Sequence, residues 1–393
     1  MKRSADKSYE RETDSGGAIS DAGRKQNGTK RQDSRMINGK WEDNVRLVTP
    51  YTAGEQPNKP GMIKLNTNEC PYPPSPEVGK AVREISLDSL RLYPDPDHTE
   101  LTRALAEYYG VEPDQIFTGV GSDDVLAMAF LAFFNSGKPI LFPDVTYSFY
   151  DVWAELYGIP YKTCVLGENW HIRPKDYEQP NGGVIFPNPN APTGVYEGLD
   201  TVESILKANS DSVVIVDEAY IDFGGESALP LLKKYDNLFV VQTFSKSRAM
   251  AGMRIGFGIG NRNLTGYLNN VKFSFNSYTL NLFAQKLGAA VVRDDTYFKK
   301  ITGKICATRE RVKKELASLG FIFPDSMANF IFASHKYLPA KEIFHALRQK
   351  DIYVRHWDKP RICNFLRITV GTDREMDTLL DFLRAYLSAR GAL

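Results

Sequence analysis

Lys246 lies in TFSKSRAMAGMRIGF, directly after the apolar run LFVVQ. A lysine at the end of a buried strand is partly desolvated, and its amine is available as a nucleophile toward a carbonyl. Ser245 beside it offers a hydroxyl, Arg254 follows eight residues later, and Gly252 permits close backbone approach. A hydroxyl, an amine and a guanidinium at this spacing suit a cofactor that carries both an aldehyde and a phosphate. Taken alone, the segment also fits a solvated strand-to-loop connection with two basic residues.

Four further segments add compatible chemistry. In VVIVDEAYIDF, Asp217 ends an apolar run, where open α/β sheets place ligand-binding groups. A carboxylate there can keep a pyridine nitrogen protonated, and Tyr220 three residues on can donate to a ring oxygen. The plain alternative is an acidic strand end that caps a loop. In FTGVGSDDVLAMAF, Gly119, Gly121, Ser122 and Asp123 precede an apolar helix. A glycine turn feeding a helix N-terminus binds anions through free N–H groups and the helix dipole, although Ser122 or Asp123 can equally be a simple N-cap. FPNPNAPTGVY is a rigid turn that presents Asn190, and Tyr147 in DVTYSFY offers an aromatic face that a core tyrosine would also show. In FLRITVG, Arg367 stands among apolar residues, a position that requires a partner: a substrate carboxylate or a structural acid.

These segments must be held by an alternation of strands and helices. Apolar runs predict strands at Gln115–Thr118, Ile140–Phe142, Gly183–Phe186, Ser212–Val216, Leu238–Gln242 and Ile255–Ile259. Periodic stretches predict helices at Thr99–Tyr109, Ser122–Phe134, Leu199–Ala208 and Asp295–Leu319. Such alternation implies an α/β fold with a mostly parallel sheet flanked by helices. After about residue 290, a strand in ANFIFAS, a helix at Ala340–Lys350, the strand FLRITVG and a helix at Asp373–Ala389 describe a smaller C-terminal α/β domain. The expected organisation is a disordered leader over 1–35, an arm over 36–60, a large domain over 61–290 and a small domain over 291–393.

Bulk properties agree with a globular enzyme. The chain has 393 residues, 42% hydrophobic and 25% charged, with a net charge of +1, so nothing favours nucleic acid or an anionic membrane as partner. No run approaches a membrane span and the N-terminus lacks a secretory signal, so the expected compartment is the cytoplasm. The cysteines Cys70, Cys164, Cys306 and Cys363 are scattered and form no metal-ligand spacing.

Together and in this order, the segments resemble the fold-type I pyridoxal-phosphate-dependent aminotransferases, and within them the histidinol-phosphate aminotransferases. The resemblance covers about Pro50 to the C-terminus and includes TPYTAGE, KLNTNECPYPPSP and RLYPDP. It implies that pyridoxal 5'-phosphate is held as a Schiff base on Lys246, with Asp217 at the pyridine nitrogen and Tyr220 at the ring hydroxyl. It further implies a phosphate cup of Gly121, Ser122, Asp123, Ser245 and Arg254, and stacking by Tyr147. Tyr93 of RLYPDP would reach the cofactor phosphate of a neighbouring subunit, which implies a homodimer with shared sites. Arg367 would hold the substrate carboxylate, and Tyr51, Asn68 and Arg355 would line the side-chain pocket. The implied reaction moves the amino group of L-histidinol phosphate to 2-oxoglutarate in histidine biosynthesis. The alternatives are an aromatic-amino-acid aminotransferase, a threonine-phosphate decarboxylase, or a binding protein that holds the cofactor without turnover. Two positions depart from the family pattern. Ala191 stands where an asparagine commonly meets the ring hydroxyl, which leaves Asn190 as its expected substitute, and Cys70 replaces a common asparagine.

Overall fold

Alternation along the apolar runs places successive side chains on opposite faces of one central sheet. In the computed structural model, which describes residues 41–392, Val214 and Val216 join one core while Ile215 joins the other. Val184 and Phe186 against Ile185, and Leu238 and Val240 against Phe239 and Val241, divide in the same way. Covered on both faces, these strands are apolar up to their C-terminal ends, where Asp217 closes β6 and Gln242 and Thr243 close β7. The leader expected over 1–35 and the start of the 36–60 arm lie outside the described residues. Trp41–Asn44 form a 3-10 turn, and Val48–Leu393 form one compact unit.

The strands in chain order are β1 (Ile63–Lys64), β2 (Ile116–Val120), β3 (Ile140–Pro143), β4 (Tyr161–Cys164), β5 (Val184–Pro187), β6 (Val214–Asp217), β7 (Leu238–Thr243) and β8 (Ile255–Gly260), then β9 (Phe321–Ile322), β10 (Phe330–His335), β11 (Ile352–Tyr353), β12 (Arg355–His356) and β13 (Leu366–Thr369). The helices are α1 (Pro76–Glu84), α2 (Thr99–Tyr109), α3 (Gly121–Phe133), α4 (Tyr150–Tyr157), α5 (Leu199–Ala208), α6 (Arg262–Phe275), α7 (Leu282–Arg293), α8 (Asp295–Ser318), α9 (Ala340–Arg348) and α10 (Asp373–Ala389). The seven-stranded sheet has the order β2-β8-β7-β6-β5-β3-β4. Its pairings from β4 to β7 are parallel, and β8 runs antiparallel to both β7 and β2. A second sheet of four strands, β12-β13-β10-β9, packs with α8, α9 and α10 around its own core. The short β1 joins β11, and Leu65 just after it donates to Tyr353 O and accepts from Thr369 N, which ties the segment before α1 to the C-terminal strands.

The strand and helix expectations hold, with end shifts of one or two residues. The elements not anticipated include the helices α1, α4, α6 and α7, the edge strand β4 and the two-residue strands β1, β9 and β11. β4 is an edge strand with three of its four residues exposed, so it lacks an apolar run to betray it. α6 and α7 carry polar and apolar residues in closely mixed order, and only packing against the sheet and α2 selects their inner faces.

β8 also fixes the seat of α3. A Cβ at Gly256 would lie 2.2 Å from Gly121 C and Ser122 N, so the strand passes directly against the backbone that opens the helix. Gly256→Ala is therefore expected to push β8 and the start of α3 apart and to lower stability by about 1–3 kcal/mol, the usual range for overpacking. Chemical denaturation of the variant beside the wild type measures the shift.

Candidate active site

The parallel strands end at one edge, and the chemistry-bearing side chains gather there. Asp217 is the last residue of β6, and the turn after β7 carries Ser245 and Lys246. Arg254, just before β8, has φ 54°, a left-handed backbone. Its Nη1 donates to Ser245 Oγ at 3.1 Å and its Nη2 to Asp123 Oδ2 at 3.2 Å. Gly121 at the start of α3 has φ +82°, and a Cβ there would lie 2.3 Å from Arg254 Nη2, so only glycine fits against the guanidinium. Lys246 Nζ donates to Thr67 O at 3.3 Å and lies 5.8 Å from the centre of the Tyr220 ring. Tyr220 Oη accepts from Asn68 Nδ2 at 2.9 Å, and Asn68 Oδ1 accepts from Thr369 Oγ1 at 2.9 Å. Tyr147 Oη donates to Asp123 Oδ1 at 2.7 Å. Lys246, Tyr220 and Asn68 thus form one linked group, and Ser245, Arg254, Gly121, Asp123 and Tyr147 another, which also borders Ser122.

Burial sets the charges. Asp217 is 4% exposed. Burial pushes its carboxyl up to about 6, against the hydrogen bonds from Tyr150 Oη at 2.9 Å and Ala219 N at 3.2 Å. Burial holds the Tyr147 phenol well above its ordinary range, which keeps it a donor. Burial likewise pulls the Arg367 guanidinium down. Arg367 Nη2 donates to Asn66 O at 2.9 Å, and its Nε is buried without a partner.

These groups fit pyridoxal phosphate. The cradle that a Cβ at Gly121 would fill brings the backbone donors of α3 beside Arg254 and Ser245, an anion site matched to a phosphate. Asp217 is a buried carboxylate whose raised value calls for a cation at its open side, which a protonated ring nitrogen would provide.

On the substrate side, a cavity of about 110 Å³ is lined by Tyr51, Tyr147, Ala191, Arg355, Trp357 and Arg367, among others. Arg355 pairs across the strands with Arg367. Tyr51 stacks on Phe149 with ring centres 4.1 Å apart. Asn190 is engaged within its own turn. Asn190 does not turn its amide nitrogen toward a ring; Nδ2 donates to Val145 O at 3.0 Å and Thr193 Oγ1 at 2.9 Å, which closes its own turn. Ala191, which lines the cavity, occupies the pocket-facing place. Tyr93 lies apart from this group, 83% exposed and stacked on Tyr278. The sequence reading missed Tyr150, whose only signal was a phenol inside an otherwise apolar helix start, and Trp357, whose ring lies 5.5 Å from Arg355 Cζ and 5.4 Å from Arg367 Cζ.

Comparison with known proteins agrees with this geometry. A family model described as aminotransferase class I and II matches residues 60–383. The chain is 52% identical over 347 residues to the histidinol-phosphate aminotransferase of Lactococcus lactis subsp. cremoris, covering 88% of this chain and 98% of that protein. A histidinol-phosphate aminotransferase of Clostridium beijerinckii is 50% identical over 348 residues, covering 88% and 97%. Among solved structures, the histidinol-phosphate aminotransferase of Sinorhizobium meliloti in complex with pyridoxal-5'-phosphate superposes with a TM-score of 0.75 at 23% identity, covering 82% of this chain and 91% of that chain, a likeness of fold.

The raised Asp217 carboxyl has a stability signature with a definite sign. The folded chain binds this proton more tightly than the unfolded chain, so the linked stability is intact below about 4 and falls as pH rises toward about 6. Asp217→Asn removes that fall. Without cofactor, the variant is expected to melt above the wild type at pH 8, by at most about 3 kcal/mol of stability, and level with it near pH 4. With pyridoxal phosphate bound the order at pH 8 reverses, because the amide offers no charge to the ring nitrogen. Calorimetric melts at both pH values, with and without cofactor, measure it.

Proposed function

We propose a reaction for this chain, which belongs to the class I and II aminotransferase family: pyridoxal-phosphate-dependent transfer of the amino group of L-histidinol phosphate to 2-oxoglutarate, giving imidazole acetol phosphate and L-glutamate, a step of histidine biosynthesis. The observation that carries the substrate choice is the pair of arginines facing one cavity. Arg355 and Arg367 sit directly opposite each other on β12 and β13, and neither has a carboxylate partner among the described residues. Like charges opposed across a sheet are unfavourable unless a ligand answers them. A phosphate dianion or a dicarboxylate does so, and an aromatic amino acid with its single carboxylate does not.

Pyridoxal phosphate, when bound, supplies an electron-withdrawing ring that stabilises negative charge at the substrate carbon. The chain supplies the rest. Asp217 holds a negative charge in a buried place and so keeps a ring-nitrogen proton bound. Arg254, Ser245 and the first N–H groups of α3 bind the cofactor phosphate. Tyr220 and Asn68 orient the ring through the hydroxyl they share. Lys246, whose Nζ donates to Thr67 O, would hold the cofactor through that nitrogen; once free, the same amine could move a proton at the substrate carbon, as base and then as acid. Tyr147, which lines the cavity, would stack on the cofactor ring and help exclude water. Arg367 binds the carboxylate of glutamate or one edge of the donor's phosphate, and Arg355 binds the other.

The same reading places two copies of the chain together in the cytoplasm as a homodimer. Tyr93 belongs to an exposed apolar stretch with Leu87 and Leu92, the kind of surface a second copy covers. Among the described residues no helix is long and apolar enough to cross a membrane.

Two experiments test this reading. Arg355→Leu is expected to lower kcat/KM for histidinol phosphate roughly tenfold or more beyond its effect on phenylalanine, the loss of one charged hydrogen-bond donor. Equal losses move the assignment to an aromatic aminotransferase. For the dimer, Tyr93→Phe subunits are mixed with Lys246→Ala subunits. If Tyr93 serves the neighbouring site, one site of each mixed dimer regains wild-type Lys246 and Tyr93, and activity rises above both parents; no rise after verified exchange counts against shared sites.

A further inference from the structure

The outer wall of the same cavity carries two groups that the mechanism above leaves idle. Lys359 lines the cavity, and while its carbonyl accepts from Ile362 N, its ammonium has no hydrogen-bond or ion-pair partner among the described residues. The neighbouring acid does not neutralise it, because Asp358 pairs with Lys341 at 2.9 Å. Thr146 also lines the cavity, and its Oγ1 is buried with no partner. We propose that Lys359 and the Thr146 hydroxyl complete a subsite for the phosphate ester of the amino donor, and so make the chain select phosphorylated over unphosphorylated donors. This rests on the reading that the donor carries a phosphate.

Arg355 lies on β12, and Trp357 and Lys359 follow it where the chain leaves the strand and bends. All three line the cavity, as does Arg367 from the adjacent strand. The Trp357 ring, within 5.5 Å of both guanidinium carbons, screens the two arginines from each other and gives them a common wall. Asp144 is the acid among the lining residues, and it is already engaged: the Arg361 guanidinium binds Oδ2, and Leu166 N donates to Oδ1 at 2.9 Å. Three cations therefore face one small space with no free acid to balance them.

Charge counting separates the ligand classes. Glutamate and 2-oxoglutarate carry two carboxylates, one for each arginine. A phosphate monoester carries about −1.5 to −2 charges near neutral pH on three acceptor oxygens, all at one end of the molecule. Two guanidiniums and an ammonium, with one hydroxyl donor, match that concentration of charge. An aromatic amino acid places an uncharged ring in the same space and leaves the third cation without a role. A buried hydroxyl without a partner is unfavourable in the free chain, and it becomes a donor when an anionic oxygen arrives.

The test uses the holoenzyme with Lys359→Met, Lys359→Arg and Thr146→Val, and measures KM and kcat for histidinol phosphate and for phenylalanine, with inhibition by inorganic phosphate as a direct binding probe. Lys359→Met is expected to raise KM for histidinol phosphate at least about fivefold more than KM for phenylalanine, with kcat little changed, as removal of ground-state binding requires. It should weaken inhibition by inorganic phosphate by a similar factor, and Lys359→Arg should restore most of both. Thr146→Val should act in the same direction and more weakly. Equal KM changes for both donors, or unchanged phosphate inhibition in Lys359→Met, overturn the proposal. If the wild type does not turn over histidinol phosphate, the function proposed above fails, and the phosphate titration alone decides the subsite: weakened inhibition supports it and unaltered inhibition overturns it.

Discussion

The site depends on one buried charge. Asp217 ends β6 beneath the strand edge, with a phenol and one backbone N–H as hydrogen-bond donors, and burial raises its carboxyl to about 6. Such a group is unfavourable in a folded chain unless something cationic completes it. Much of the surrounding architecture serves to hold it in place. Parallel pairing with β5 and β7 fixes the backbone at Asp217, and α4 brings Tyr150, fully buried, over its second oxygen. The sheet core beneath excludes the water that would otherwise solvate the carboxylate.

A second constraint is close backbone approach. The start of α3 can face an anion only because β8 passes against it without side chains in the way. Gly256 and Gly121 together permit this contact, and Arg254 fills the remaining space with a guanidinium rather than a methyl group. The antiparallel placement of β8 between β7 and β2 is what brings Arg254, at its beginning, to the end where β2 hands over to α3. The phosphate cradle is therefore a product of sheet topology as much as of a local motif.

These dependencies explain what could be read from the chain. The placement of Asp217, Tyr220, Lys246 and Arg254 at one sheet edge was legible because each lies at or within three residues of the end of an apolar strand. Asn190 was picked for its polar type; the fold uses its amide nitrogen for Val145 O and Thr193 Oγ1 and leaves its Oδ1 buried without a partner. Tyr150 was invisible because its function lies in a contact with a residue 67 positions away, and nothing in YDVWAELY announces that partner. Lys359 escaped for the opposite reason, since an exposed lysine in DKPRI reads as solvated surface until the fold brings it to the cavity wall. The C-terminal elements were legible as elements, but the pairing of β1 with β11, which draws residues before α1 onto that part of the fold, depends on contacts nearly three hundred residues apart.

The two halves of the site use opposite electrostatic devices. At the cofactor end, a buried anion awaits a cation, and the mismatch is held inside the core where solvent cannot relieve it. At the substrate end, like charges are set side by side on β12 and β13, partly exposed and leaning on the Trp357 ring. Repulsion there, felt by the Arg367 guanidinium, turns into attraction when an anion enters beside both guanidiniums. Selectivity among anions then follows from number and spacing of charges rather than from shape alone. Cations on both strands distinguish one concentrated dianion from one carboxylate. Tight binding of the cofactor and selective, reversible binding of the substrate thus arise from the same principle applied at two depths of burial.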